Sequence, residues 1–363
     1  MPRVTPLMAL LLPTITFAQA ISTSPIQSPA QVSAYWTAER LSEARPMPLR
    51  RVAGTPTAAP ASLVQGPRTP ITSPSASPKG GGAGPLERVA REPQAPEPVF
   101  GPGSTVWYDY PPPSTLNVPV LDYAVIPSFP NTATGKLFFS QAGGNFVCSA
   151  QAVSSAGTWG AGNGQTLVTA GHCCSNGAGI FSTNMTYQPA HLNGAAPLGT
   201  WSAYLWRVYT EWHNGADLSV DYCVVQMSPR AGRNLHAVTG YLGYAANLPL
   251  PQHYTATGWP AAAPFTGGLL YHASASDAET DTAAAGLLPY THGIGNAMTG
   301  GSSGGAWIRN YQSLVPGANT NLFNGLNSYK YTTPARPAEM FGPYIDTLFV
   351  SLLESVAIEA PAP

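Results

Sequence analysis

Three short stretches of this 363-residue chain carry side chains suited to attack on a carbonyl. Leu167-Val168-Thr169-Ala170-Gly171-His172-Cys173 is an apolar β-type run ending in small residues, which sets an imidazole at a strand end with little bulk around it. Asp221-Tyr222-Cys223-Val224-Val225 puts an acid at the head of a strongly apolar strand, where a partly buried carboxylate needs hydrogen-bond donors. Thr299-Gly300-Gly301-Ser302-Ser303-Gly304-Gly305-Ala306-Trp307 places a serine among glycines, so the backbone can turn sharply and approach a ligand closely. Singly, each has a plainer reading: a satisfied structural histidine, a turn acid, a flexible loop. Together they complete a mechanism. A serine hydroxyl is a weak nucleophile near neutral pH and needs a base. Histidine is the usual base, and its other ring nitrogen needs an acceptor that fixes the tautomer. Asp217 competes for the acceptor role but follows Asn214-Gly215 and reads as a turn residue; Asp221 is preferred.

These parts have to be positioned by strands. From about Asn117, short apolar runs alternate with Gly- or Asn-containing breaks: Lys136 to Phe139, Phe146 to Val153, Thr166 to Ala170, Tyr222 to Met227 and Ala306 to Ile308. That texture is an antiparallel β barrel or sandwich. One segment has helical period: Ile345, Leu348, Phe349, Leu352 and Val356 share a face, with Pro343 near its start. Composition agrees, since 37 Gly and 38 Pro favour turns over helices. A charged fraction of 9% excludes a coiled coil, and 44% apolar residues exclude a wholly disordered chain. A net charge of −1 gives no basic surface for nucleic acid.

The N-terminal third is different. Residues 1–20 read as a secretory signal: Arg3, an apolar stretch from Leu7 to Phe17, and the small-x-small end Ala18-Gln19-Ala20. The run is too short to span a bilayer, so a secreted, extracellular product without a membrane anchor is expected. Asn184-Met185-Thr186 is a glycosylation sequon. Residues 21–116 read as a disordered pro-segment and linker, in which Tyr35 to Leu41 could form a helical turn or two and Lys79 to Gly84 has too little apolar surface to offset ordering. Arg50-Arg51 is a plausible processing site, and a permanent spacer is the alternative. The expected domain is 117–357, with a tail at 358–363.

The motifs resemble those of the chymotrypsin-fold serine proteases. His172, Asp221 and Ser303 follow that family's chain order; Thr169 to Cys173 resembles its histidine signature and Gly301 to Gly305 its nucleophile loop. Gly135 to Phe139, Thr299 to Gly305, Asn327 to Tyr329 and Phe341 to Tyr344 are similar to the secreted microbial trypsin-like and glutamyl-endopeptidase-like branch, and Tyr35 to Arg40 to a pro-region element of such precursors. The resemblance spans roughly residues 117 to 356. It implies an all-β fold of two six-stranded antiparallel barrels with a C-terminal helix, with the site in the cleft between the barrels. It further implies Ser303 as nucleophile, His172 as proton shuttle, Asp221 as orienter and the backbone amides of Gly301 and Ser303 as oxyanion hole. Substrate contacts would come from Ala297, Leu326, Asn327 and Ser328, and a disulfide from Cys148 and Cys173. Cys174 and Cys223 either pair or remain buried thiols.

The pattern departs from the family in two places. Ser302 stands where many relatives carry an aspartate that captures a new N-terminus. Asn296-Ala297 stands where enzymes cutting after Arg or Lys carry an aspartate, and no histidine follows Ser303, although glutamate-specific relatives use one there. An uncharged pocket is therefore expected. The reading is a secreted serine endopeptidase, not specific for Arg, Lys or Glu, that acts as a monomer on protein or peptide substrates with no cofactor and no metal. A catalytically inactive protease-fold binding protein is the alternative. The esterase elbow also fits Gly301-x-Ser303-x-Gly305, but its histidine would follow the serine and no histidine does.

Overall fold

The computed structural model describes residues 19–60, 68–79, 117–119, 128–155, 163–282, 290–333 and 336–357. Most of the expected signal, the tract 80–116 and the tail 358–363 lie outside them. The strands, in chain order, are β1 (Ile21–Thr23), β2 (Arg45–Pro46), β3 (Arg50–Ala53), β4 (Ile71–Ser73), β5 (Asn117–Pro119), β6 (Thr134–Gln141), β7 (Gly144–Ala152), β8 (Thr166–Thr169), β9 (Thr183–Pro189), β10 (Trp201–Tyr209) and β11 (Cys223–Met227). There follow β12 (Gly243–Ala246), β13 (His253–Gly258), β14 (Tyr271–Asp281), β15 (Thr291–Gly295), β16 (Ala306–Arg309), β17 (Leu322–Leu326), β18 (Tyr329–Thr333) and β19 (Glu339–Pro343).

The first sheet closes into a six-stranded antiparallel barrel. Its ring runs β7-β6-β9-β10-β11-β8 and returns to β7. Closure pairs most of the edge an open sheet would leave, apart from strand ends such as residues 207–209 of β10. Apolar strand residues make its core: Leu137, Phe139, Cys148, Leu167, Val168, Trp206, Val224 and Val225 belong to one buried cluster. The second sheet runs β18-β19-β15-β14-β13-β16-β17. Because β17 and β18 are halves of one segment bent at Asn327-Ser328, this path also returns on itself. Tyr254, Ala256, Ile294, Met298, Trp307 and Met340 share a second buried cluster.

The C-terminal helix spans Thr347–Ala357 and seals the first cluster with Phe349, Leu352, Leu353 and Val356. The periodicity found these residues, but the helix starts later than Pro343 suggested. Pro343 is instead the last residue of β19, paired with Thr291. No helix among the described residues is long and apolar enough to cross a membrane.

Part of the segment expected to be disordered is ordered on the barrels. β1 adds to β10, β2 to β7, β3 to β18 and β4 to β12. A Pro- and Ala-rich chain has no core of its own, yet its backbone can complete a sheet edge that already exists. The expected helical turn is two short helices, Pro29–Tyr35 and Ala38–Glu43. Between them Trp36 is buried with Phe138 and Val147, its Nε1 donating to the carbonyl of Asn184, and Thr37 caps the second helix.

Candidate functional site

The site begins where β8 ends. Thr166 to Thr169 are fully buried, and Ala170 leads into a single helical turn, Gly171–Cys174. Pairing of β8 with β11 sets Cys223 opposite Thr169, which brings Asp221 alongside Gly171 and His172. A Cβ on Gly171 would come within 2.9 Å of both Asp221 Oδ1 and the Trp212 ring, so no larger side chain fits beside the acid. Two cross-links flank the histidine: Cys173 is bonded to Cys148 on β7, and Cys174 to Cys223 on β11. The first is the implied disulfide. The second closes the alternative left open for Cys174 and Cys223.

Asp221 grips His172 at two points. Oδ1 accepts the His172 backbone N–H at 2.8 Å, and Oδ2 lies 2.8 Å from Nδ1. Ser328 Oγ donates to the same Oδ2 at 2.5 Å. Three donors on one fully buried carboxylate offset its desolvation. Since Nδ1 faces an acceptor, the network assigns it the proton and leaves Nε2 as the basic nitrogen. Trp212 packs 6.2 Å from the imidazole, ring centre to ring centre, anchored by Nε1 to the Ser175 carbonyl. Asp217 is turned to another task, since its Oδ1 accepts from the backbone N–H and hydroxyl of Ser219.

Ser303 sits on the turn between β15 and β16. Gly301 and Gly304 hold φ of +93° and +79°, and a Cβ on Gly304 would lie 2.2 Å from Thr169 Oγ1 and 2.6 Å from Ala170 N. The Ser303 loop therefore presses directly on the strand end that carries His172. Ser149 N–H donates to the Ser303 carbonyl at 2.8 Å, and Ser149 Oγ donates to that of Gly301 at 3.0 Å. Ser303 Oγ and His172 Nε2 are both buried, and neither has a hydrogen-bond partner, each other included. Contacts of this kind are often loose in a site without substrate.

The expected substrate contacts divide. Ala297 is half-buried, next to the buried Met298. Leu326 belongs to the core cluster. Asn327 braces the Ser303 loop: its Nδ2 donates to Ser302 O at 3.0 Å, its Oδ1 accepts from Asn296 Nδ2 and Trp307 Nε1, and its carbonyl accepts from Gly304 N–H. Ser328 holds Asp221. The supporting roles of Ser149, Asn327 and Ser328 escaped sequence reasoning, which read Asn327 and Ser328 as substrate contacts and did not single out Ser149. Ser302, where relatives have aspartate, binds the Thr299 carbonyl at 2.7 Å. Beside Asn296, burial lowers Lys330 to about 7 although Glu339 opposes this, and burial raises Glu339 to about 7 although Arg336 opposes it. Lys330 Nζ donates to the carbonyls of Asn296 and Pro337. Cys148, His172 and Cys173 bring three donor atoms within 4.8 Å, but both sulfurs belong to one disulfide and offer no thiolate to a metal.

No family model matches the chain, and no curated protein does. Solved structures do. The protease Anisep from Arthrobacter nicotinovorans is 33% identical, with 67% of this chain and 100% of that one covered and a TM-score of 0.57. A thermostable serine protease, AL20, from an extremophilic microorganism is 34% identical over 63% of this chain and 99% of its own, with a TM-score of 0.55. A Glu endopeptidase in complex with MPD is similar in fold, at 17% identity, 67% and 97% coverage and a TM-score of 0.50.

Proposed function

Because the chain belongs to the chymotrypsin-fold serine proteases and is a hydrolase of that kind, we propose that it cleaves peptide bonds with Ser303 as nucleophile, His172 as base and then acid, and Asp221 as the group that orients the imidazole. The observation carrying this reading is the two-point grip of Asp221 on His172, which leaves Nε2 as the free basic nitrogen in a buried site. Attack by Ser303 Oγ on the substrate carbonyl transfers its proton to Nε2. The tetrahedral oxyanion is met by the amides of Gly301 and Ser303, and one such donor contributes roughly 3 kcal/mol in comparable sites. Collapse expels the amine, which takes the proton from His172, and leaves an acyl-enzyme that water hydrolyses by the same steps in reverse.

The domain of 117–357 acts on proteins or peptides as an exported monomer after residues 1–20 are removed. Two disulfides suit an oxidising compartment. The pocket beside Ala297 takes apolar or small side chains. Leu49 of the N-terminal segment is buried in the cluster that includes Met298 and Trp307, which favours this reading. A serine-directed fluorophosphonate should label Ser303 and fail on Ser303→Ala. Absence of labelling in the processed wild-type protein would support an inactive binding module instead. An unbiased peptide digest dominated by cuts after Arg, Lys or Glu would refute the apolar pocket.

A further inference from the structure

We propose that Arg45 to Ala53 is a ligand of the active-site cleft that the enzyme holds without cutting, so that this segment inhibits the protease within the chain and, once released, as a separate peptide. The inference rests on the protease reading above and adds its regulation. The carbonyl of Met47 accepts from Gly301 N–H at 3.0 Å, the amide assigned above to the oxyanion. A Cβ on Gly300 would lie 2.8 Å from that carbonyl oxygen, so the seat depends on glycine there. Met47 N–H in turn donates to Val147 O at 3.0 Å, which fixes the residue from both sides.

Beyond Met47 the chain continues along the second barrel. Leu49 is buried in the cluster of Met298 and Trp307. Arg50 N–H donates to the Ser328 carbonyl at 3.3 Å, and β3 runs parallel to β18 with Arg50 beside Tyr329 and Val52 beside Tyr331. The Arg50 guanidinium donates to Asn176 O at 2.8 Å and lies 5.0 Å from the centre of the Trp212 ring, the ring that packs on His172. The segment thus touches the oxyanion amide, the apolar pocket, the Ser328 edge and the wall behind the histidine. His172, Asp221 and Ser303 are all fully buried.

The sequence Arg45-Pro46-Met47-Pro48-Leu49-Arg50 accounts for survival in this place. The bond following the seated carbonyl is Met47–Pro48. Its nitrogen is tertiary and carries a ring carbon where an ordinary peptide carries hydrogen, which hinders protonation of the leaving group. Pro46 and Pro48 also fix φ on either side of Met47, so little freedom remains to be lost on docking. Arg50 and Arg51 are paired backbone within the cleft, so processing between them requires the strand to leave first.

The test compares fluorophosphonate labelling of the full-length chain with that of the full-length L49D/R50E variant, both positions lying outside the catalytic machinery. Labelling of Ser303 in the variant should be at least tenfold faster. A synthetic peptide of residues 43–54 should restore slow labelling, compete with a small ester substrate, and remain intact by mass spectrometry. The milder Arg50→Ala chain should show a smaller gain in the same direction, which serves if the double variant does not fold. Equal labelling of all three chains, or a peptide that is cut or slows nothing, overturns the inference while leaving the protease intact. Failure of every chain to label, with or without peptide, refutes the reactive serine itself and this inference with it.

Discussion

In the first barrel, His172 and Asp221 are held by covalent links on neighbouring strands: Cys173 and Cys174, which follow the histidine, are tied to β7 and β11, and Cys223 lies two residues after the acid. In the second, both ends of the turn that carries Ser303 are held by close packing and hydrogen bonds alone, through Gly304 against Thr169 and Asn327 beneath the loop. The proposed base is thus fastened by sulfur and the proposed nucleophile by shape. The difference suits the chemistry. An imidazole must stay fixed against its acceptor through two proton transfers, whereas the serine turn must present two amides and a hydroxyl to one incoming atom.

The largest effect that would test this division is on rate. Ser303→Ala or His172→Ala should each lower kcat by on the order of 10⁶, and Asp221→Asn by about 10⁴ through loss of the right tautomer, as in comparable triads. Single-turnover hydrolysis of a small ester measures both. If Asp217→Asn proved as damaging as Asp221→Asn, the assignment of the acid would be wrong. Next comes stability. Replacing Cys174 and Cys223 together by Ser releases a loop with a sequence separation of 49, for which loop entropy predicts a loss of about 4 kcal/mol in urea unfolding.

Gly304→Ala attacks the packed half instead. A methyl group 2.2 Å from Thr169 Oγ1, at a left-handed φ, should lower stability by about 3 kcal/mol and reduce kcat with it. Addition of a reductant, which opens both disulfides, should destabilise at least as much as the cysteine replacement while leaving the Gly304→Ala loss in place. A change of similar size is expected from pH. Burial lowers His236, 8% exposed and bonded to the Thr166 carbonyl, to about 4, so it is neutral when folded. Between pH 6.5 and 4 the unfolded chain binds the extra proton, so the contribution of His236 falls by about 3 kcal/mol as pH drops through that window. His236→Gln should remove that share of the slope in urea midpoints taken at pH 7 and 4.5 and leave the share of His272, which burial also lowers to about 4. The smallest effect belongs to Ser328→Ala, which deletes one of three donors to Asp221 and should cost about 1.5 kcal/mol of transition-state stabilisation, read as kcat with little change in KM.

Strand positions and the meeting of His172 with Asp221 were legible because burial leaves a period and the motifs carry their own spacing. Val168, Val224 and Phe349 announced themselves as apolar in a pattern. What escaped detection has no such mark. Ser149, Asn327 and Ser328 matter through a few polar atoms, set by the register of strands distant in sequence. The docking of β1 to β4 uses main-chain hydrogen bonds, which any residue but proline can donate, so Pro/Ala-rich composition argued for disorder where sheet edges impose order. Trp36 was read as part of a helical turn, yet it lies between two short helices, buried against Phe138.

The strands contributed by residues 21–73 also act as lids on bare backbone. β1 covers residues 207–209, β3 covers 329–333 and β4 covers 244–246. Any event that strips this segment away uncovers four rows of amide and carbonyl groups at once, residues 146–147 beneath β2 included, each able to recruit an extended stranger. The trimmed molecule would then be stickier than its precursor, and its shelf life in concentrated solution would fall even while its catalytic power rose.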